Sequence, residues 1–430
     1  MNEEHKQFIF ETYKFFPDER RLDLHYSIDN KYNFVESYKF DFEFVAYEQE
    51  VLDRALQNLF FMAGVSYYKL FLPSEIVIQS GELDINSASF YSKTWQKGLG
   101  EFFYVNNLDP NTEIALPSNI DQRSPLPANG SGLLVGIGGG KDSLVSVELL
   151  RDDPNLATWS VDHKEQLAPL VERIGLPHYW VQRTYDKQLL ELNSLPGTYN
   201  GHIPISAIYA TVGTVVSILT GNKDVVVSNE ASADEPTLKY QGVAINHQYS
   251  KSSEFERDYQ AQLSRDFGDG LRYYSFLRPL SELRISEVFA QIGLGKYSGV
   301  FSSCNRAFTH DQTSIFWCGQ CPKCAFVYLA ISPFVSKQQL LELFGGKNLL
   351  LDPSLENTYR QLLGISGDKP LECVGEVKES RAAMRLAQEH TPELNKYVFD
   401  LPSDYDFRDL RPDNMPEELR QILENKLQNL

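Results

Sequence analysis

The stretch "GLLVGIGGGKDSLVSVELLRD", Gly132–Asp152, decides the fold. Leu133-Leu134-Val135, closed off by glycine, reads as a short buried strand, and Ser143 to Asp152 reads as a helix. Between them lie three consecutive glycines, a lysine, an acid and a hydroxyl. Such a turn suits an anion. Glycine lets the backbone come close and adopt positive φ. The helix then points its first N–H groups at the charge. Ser143 can donate its hydroxyl and Lys141 adds a positive charge, while Asp142 can cap the helix or help hold Mg²⁺.

The same alternation continues downstream. "LATWSVD", "PHYWVQR", "DVVVSNE" and "RYYSFLRPL" read as strands. "KEQLAPLVERIG", the apolar run around residues 204–219 and "SELRISEVFAQIG" read as helices. Strand–helix repetition predicts an α/β fold with a doubly wound parallel sheet and ligands at the carboxyl ends of its strands. Upstream, residues 1–48 alternate apolar and polar in short aromatic-rich runs, which argues for antiparallel strands, and helical spacing follows through Val51, Leu52, Leu56 and Phe60. Residues 106–129 are rich in Pro, Asn, Asp and Ser and read as a linker. The expected division is a strand-rich α+β unit over 1–125 and the α/β unit over 126–430, with a helical tail.

At 430 residues two units with adequate cores are expected. The net charge of -18 argues against a nucleic-acid partner, so an anionic ligand needs a local basic pocket. No segment has the ~20 clean apolar residues of a membrane span, and the first residues, "MNEEHKQFIF", lack a signal-peptide core. Four of the five cysteines lie between Cys304 and Cys324, which suggests reduced thiols in a cytoplasm rather than disulfides.

Three phosphate patterns can be tested on the glycine turn. The Walker pattern fails because Gly140-Lys141 is followed by Asp142 and position 135 is Val; the dinucleotide fingerprint fails at Lys141. "GGGKDS", Gly138 to Ser143, matches five of the six places of S-G-G-x-D-S, departing only at Gly138. In this the chain resembles the N-type (PP-loop) ATP pyrophosphatases, a likeness that implies ATP cleaved between its α- and β-phosphates. Gly136, Gly138, Gly139, Gly140, Lys141, Asp142, Ser143, Asp162 at the end of the next strand, and Asn229 are the expected nucleotide-binding residues.

"CNRAFTHDQTSIFWCGQCPKC" places Cys304, Cys318, Cys321 and Cys324 in a C-x13-C-x2-C-x2-C spacing. Four thiolates so spaced can enclose one tetrahedral structural Zn²⁺; a redox dithiol and an iron–sulfur site remain as alternatives. Knuckle and loop together resemble the 7-cyano-7-deazaguanine synthases. His202, Glu230, His247 and Lys251 sit in polar clusters before helices or after strands, where an α/β sheet builds its site. Arg278, Arg306, Lys378 and Arg381 are candidates for meeting a multiply anionic substrate.

As a set, "GIGGGKDS", "NGHIPISAI", "SNEAS", "INHQYSKSSEFE", "WCGQCPKCAFVYLAISPF" and "ECVGEVKESRAA" resemble the UDP-N-acetyl-α-D-muramoyl-L-alanyl-L-glutamate epimerases over roughly residues 130–390. The resemblance implies an ATP- and Mg²⁺-dependent inversion of the terminal L-Glu of UDP-MurNAc-L-Ala-L-Glu in cell-wall precursor synthesis, with AMP and pyrophosphate as products. It also implies a small-molecule partner, with neither nucleic acid nor membrane. A C–H beside a carboxylate is a very weak acid, and an acyl-adenylate removes the opposing charge. His202, His247, Lys251, Glu230 and Cys373 are the candidate bases, alongside Lys141 and Asp142 at the phosphates, and the sequence does not choose among them. The alternatives are another PP-loop enzyme, such as a deazaguanine synthase or other carboxylate-adenylating enzyme, and a non-catalytic nucleotide sensor. The oligomeric state is not readable.

Overall fold

A computed structural model describes residues 5–309 and 312–430. Among them are β1 (Gln7–Phe16), β2 (Arg21–Ile28), β3 (Tyr32–Asp41), β4 (Glu75–Ile78), β5 (Leu133–Gly136), β6 (Leu156–Val161), β7 (His178–Thr184), β8 (Asp224–Val227), β9 (Leu238–Tyr240), β10 (Val243–Ile245) and β11 (Arg272–Ser275). Nine of these make one sheet, ordered β11-β8-β5-β6-β7-β3-β2-β1-β4, and β9 and β10 form a separate antiparallel ribbon. From β11 to β7 all neighbours are parallel. From β7 through β3 and β2 to β1 they are antiparallel, and β4 lies parallel to β1 at the edge.

The α/β architecture with a large, mostly parallel sheet follows from side chains that are apolar on both faces. On β5, Leu133 and Val135 join one core cluster and Leu134 the other. A strand buried on both faces needs helices above and below it. Helices Gln49–Ala63 and Ile205–Thr220 pack together on one face; Lys141–Leu150, Glu282–Ile292 and Pro322–Ile331 cover the other. The chain runs β5, β6, β7 in one direction and then returns to β8 on the far side of β5. In α/β sheets such a reversal is where a ligand crevice forms, here at the carboxyl ends of β5 and β8.

The segment 106–129 contains neither helix nor strand. It is nevertheless pinned: buried Arg123 donates to Asp266 at 3.2 Å and Asn58 at 3.3 Å, and also to the Glu82 carbonyl. The sheet itself runs across the expected boundary at 125, because β3 pairs with β7. No described helix is long and apolar enough to cross a membrane.

On β3 the buried face reads Phe34, Glu36, Tyr38, Phe40, which places a carboxylate in the core. Arg183 of β7 answers it: Nε donates to Glu36 Oε1 at 2.8 Å, and both side chains are fully buried. The other guanidinium nitrogens donate to Tyr185 Oη at 2.7 Å and Ser66 Oγ at 2.9 Å, and Tyr38 Oη donates to Glu36 at 2.5 Å. Removing one partner of such a pair strands a charge. Glu36→Ala is therefore expected to lower the free energy of urea unfolding by ~3–5 kcal/mol, and Glu36→Leu with Arg183→Met to regain most of that loss. An equally stable Glu36→Ala protein would contradict the assignment.

Candidate functional site

The glycine turn leaves β5 at Gly136 and enters the helix Lys141–Leu150. Gly139 has φ +91°, and a Cβ there would meet Phe308 Cζ at 2.6 Å. A Cβ on Gly140 would meet Ser303 Oγ at 2.7 Å. At Gly138, the one departure from the pyrophosphatase pattern, a Cβ would meet nothing within 4 Å, so glycine is not sterically required. Ser143 Oγ donates to the Gly140 carbonyl at 3.2 Å and so closes the first helical turn. Asp162 directly follows β6, has φ +59° and accepts from the Arg183 amide at 2.7 Å. Asn229 is half-buried just beyond β8, and its carbonyl accepts from Ser275 Oγ at 2.6 Å.

Beside the turn lies a ring of ionisable groups drawn from distant segments. Lys141, 1% exposed, sets its ammonium between Asp142 and Glu282. Burial alone would lower its pKa, but those two carboxylates raise it. Glu282 also lies 3.5 Å from Lys323 Nζ, and that ammonium donates to the Cys373 carbonyl. Cys373 Sγ is 3.2 Å from Lys251 Nζ. The thiol also bonds to His247, whose Nδ1 contacts Glu101. His202 completes the group, with its ring 4.7 Å from that of His247 and its Nδ1 3.9 Å from Glu101.

The two histidines titrate in opposite directions. Burial pulls His247 down, but Cys373 and Glu101 outweigh it and raise it to about 9. His202 is lowered to about 4 by burial and then by the charge on His247. Burial pushes the Cys373 thiol up, yet Lys251, His247 and Lys323 bring it down to about 6. Burial and Glu282 raise Asp142 to about 6, against Lys141 and Lys323. The surroundings thus favour the protonated form of His247, the neutral form of His202 and the thiolate of Cys373.

Two further groupings suit cations. Carboxylate oxygens of Asp142, Glu230 and Glu282 lie within 4.8 Å of one another. Such a set, crowded enough to raise Asp142, fits a hard divalent ion. The sulfurs of Cys304, Cys318, Cys321 and Cys324 likewise converge, with Cys304–Cys321 at 3.9 Å and Cys318–Cys324 at 3.7 Å. Gly319, at φ +67°, turns the knuckle so that the amides of Gln320 and Cys321 donate to Cys318 Sγ at 3.4 and 3.3 Å. Sulfurs gathered and supported in this way fit a closed tetrahedral site.

Lys141, Asp142, His202, Glu230, His247 and Lys251 are thus brought together at this crevice. The arginines are not all free to join them. Arg278, 1% exposed, ties its guanidinium to Glu256 at 3.1 Å and the Glu230 carbonyl at 2.7 Å, and also to the Lys251 carbonyl. It orders the two loops that carry Glu230 and Lys251. Arg381 donates to the carbonyls of Leu363 and Asp400, both at 2.8 Å, and holds the tail. Arg306 is exposed and bonds to Gln320 at 3.0 Å; Lys378 is exposed at a separate surface cavity with Asp404 and Asp406. Glu101, Glu282 and Lys323 escaped the sequence reading. Glu282 looks like an ordinary first-turn acid and Lys323 like a spacer inside the cysteine motif; nothing local marks Glu101.

With this geometry in view, the chain can be set beside known proteins. The MurL N-terminal domain matches residues 1–276 and the MurL C-terminal domain residues 300–402. The UDP-N-acetyl-alpha-D-muramoyl-L-alanyl-L-glutamate epimerases of Xanthomonas oryzae pv. oryzae, Salinispora tropica and a Micromonospora species are 38%, 40% and 41% identical to it. The aligned regions cover 84%, 79% and 79% of this chain and 81%, 74% and 75% of those proteins. Likeness at that level, across both halves of the chain, makes it a member of the UDP-N-acetyl-α-D-muramoyl-L-alanyl-L-glutamate epimerase family.

Proposed function

We propose that this chain is an ATP-dependent epimerase of the PP-loop type that inverts the terminal L-Glu of UDP-MurNAc-L-Ala-L-Glu to D-Glu. The reaction belongs to peptidoglycan precursor synthesis in the cytoplasm. The observation that carries this reading is the adjacency of two machines: a glycine turn at a sheet switch point, and a ring of proton-transfer groups. The turn alone would suit many nucleotide enzymes, and the ring alone many isomerases. Together they suit a reaction that must activate a carboxylate before touching the neighbouring carbon.

The amides from Gly138 to Ser143, at the turn that opens the helix Lys141–Leu150, would cradle the triphosphate. An oxygen of the terminal glutamate's α-carboxylate attacks the α-phosphorus, the bond to the bridging oxygen breaks, and pyrophosphate leaves. The acyl-adenylate no longer carries the charge that opposed a carbanion. A base of the ring removes the α-proton, an acid returns one to the opposite face, and water releases AMP. His202, Glu230, His247 and Lys251 are the groups offered for this exchange, and the raised pKa of Lys251 suits it to steadying negative charge. Asp142, Glu230 and Glu282 would hold Mg²⁺, which would neutralise phosphate charge. The four cysteines would hold a structural Zn²⁺. The early part of the chain completes the site, a reading supported by Glu101 lying beside His247.

Incubation with ATP, Mg²⁺ and UDP-MurNAc-L-Ala-L-Glu should release pyrophosphate and give D-Glu on acid hydrolysis. Pyrophosphate without D-Glu, or neither product, rejects the epimerase reading. Within the loop, Gly139→Ala should cut pyrophosphate release at least ~10-fold, since it forces a Cβ into Phe308 at positive φ. Gly138→Ser should stay within ~3-fold of the parent, because its Cβ has open space. Protein purified under reducing conditions should contain about one zinc per chain, and Cys321→Ser should lower both metal content and melting temperature.

A further inference from the structure

Four of the five cysteines converge on one another, and Cys373 stands apart. It is half-buried rather than sealed in the core, and it reaches the crevice from a segment, "LECVGE", that is neither helix nor strand. Three cations from separate parts of the chain surround it: Lys251 Nζ 3.2 Å from the sulfur, His247 hydrogen-bonded to it, and Lys323 on its carbonyl. A thiol that served only as a small apolar filler would have no need of two cationic side chains directed at its sulfur.

Resting on the epimerase reading above, we propose that Cys373, as a thiolate, is the base that takes the α-proton of the activated glutamate. The other groups of the ring are less suited to that role. Neighbouring acidic groups and the thiol favour the protonated forms of Lys251 and His247, so neither is free to accept the α-proton. His202 lies against Glu101 and His247, and burial together with the charge on His247 lowers its affinity for a proton. In the step itself the Cα–H bond breaks, an S–H bond forms, and the electron pair moves onto the acyl carbonyl oxygen. An acid of the same ring protonates the enolate on its other face. The thiol then returns its proton to that acid through its contact with Lys251 or His247, and the starting charges are restored. The lowered Cys373 pKa of about 6 agrees with this geometry: a thiolate persists above pH 6 and is lost as the pH falls through that value.

The test separates activation from proton transfer. Substrate-dependent ATP–pyrophosphate exchange reports adenylation, and deuterium appearing at the glutamate α-carbon in D₂O reports proton removal. Cys373→Ala and Cys373→Ser should keep exchange within about 3-fold of the parent and lose deuterium incorporation by about 100-fold or more. In the unsubstituted protein, deuterium incorporation should rise with pH through about 6. Iodoacetamide alkylation of Cys373 should follow the same curve, well below the about 8.5 of an ordinary cysteine. Deuterium incorporation by either variant within about 10-fold of the parent overturns the proposal. So does loss of exchange in both variants, or an alkylation midpoint near 8.5. Absence of exchange in the unsubstituted protein is a different failure, and rejects the adenylation reading itself.

Discussion

The structure depends on one seam, the antiparallel pairing of β3 with β7 around the buried Glu36–Arg183 pair. A fully buried ion pair contributes little net stability, because both charges have been stripped of water. Its value here is positional. A one-residue slip of β3 would turn Glu36 to the opposite face and leave Arg183 unanswered. The seam therefore admits one register, and that register sets where the first hundred residues lie. Glu101 reaches His247 from a helix that belongs to that early part of the chain.

Charge is handled in the crevice in the same manner. Lys141, Lys251 and Lys323 are positive groups in an acidic protein, each held by partners within the ring. Glu282 serves Lys141 and Lys323 together, so it couples the glycine turn to the backbone of Cys373. An anion arriving at the turn would compete with Asp142 and Glu282 for Lys141, and the rest of the ring would feel that change. The positive groups of the site are three lysines far apart in sequence, not a basic run, and each is matched by an acidic group or a thiol of the ring.

What could be read from sequence was whatever is local. The strand–glycine turn–helix at 133–150, the cysteine knuckle and the alternating early strands each follow from residues within a few positions of one another. His202, Glu230, His247 and Lys251 were legible because they stand at ends of elements. The seam was not: Glu36 interrupts an apolar alternation, and its partner lies 147 positions away. Glu101, Glu282 and Lys323 were missed because each has an ordinary local explanation. Arg278 illustrates the converse. Its sequence context suggested a substrate contact, whereas its buried guanidinium joins the loops of Glu230 and Lys251.

The order of strands also bears on how the chain is made. β3 has ten residues, and its free edge is closed only by β7, some 140 residues later. During synthesis β1, β2 and β3 leave the ribosome with that edge unpaired, a template for other nascent copies. The charged Glu36 on its inner face then acts as a guard. An intruding strand would have to bury that carboxylate without an arginine opposite, so the wait for β7 is protected by the residue that later fixes its register.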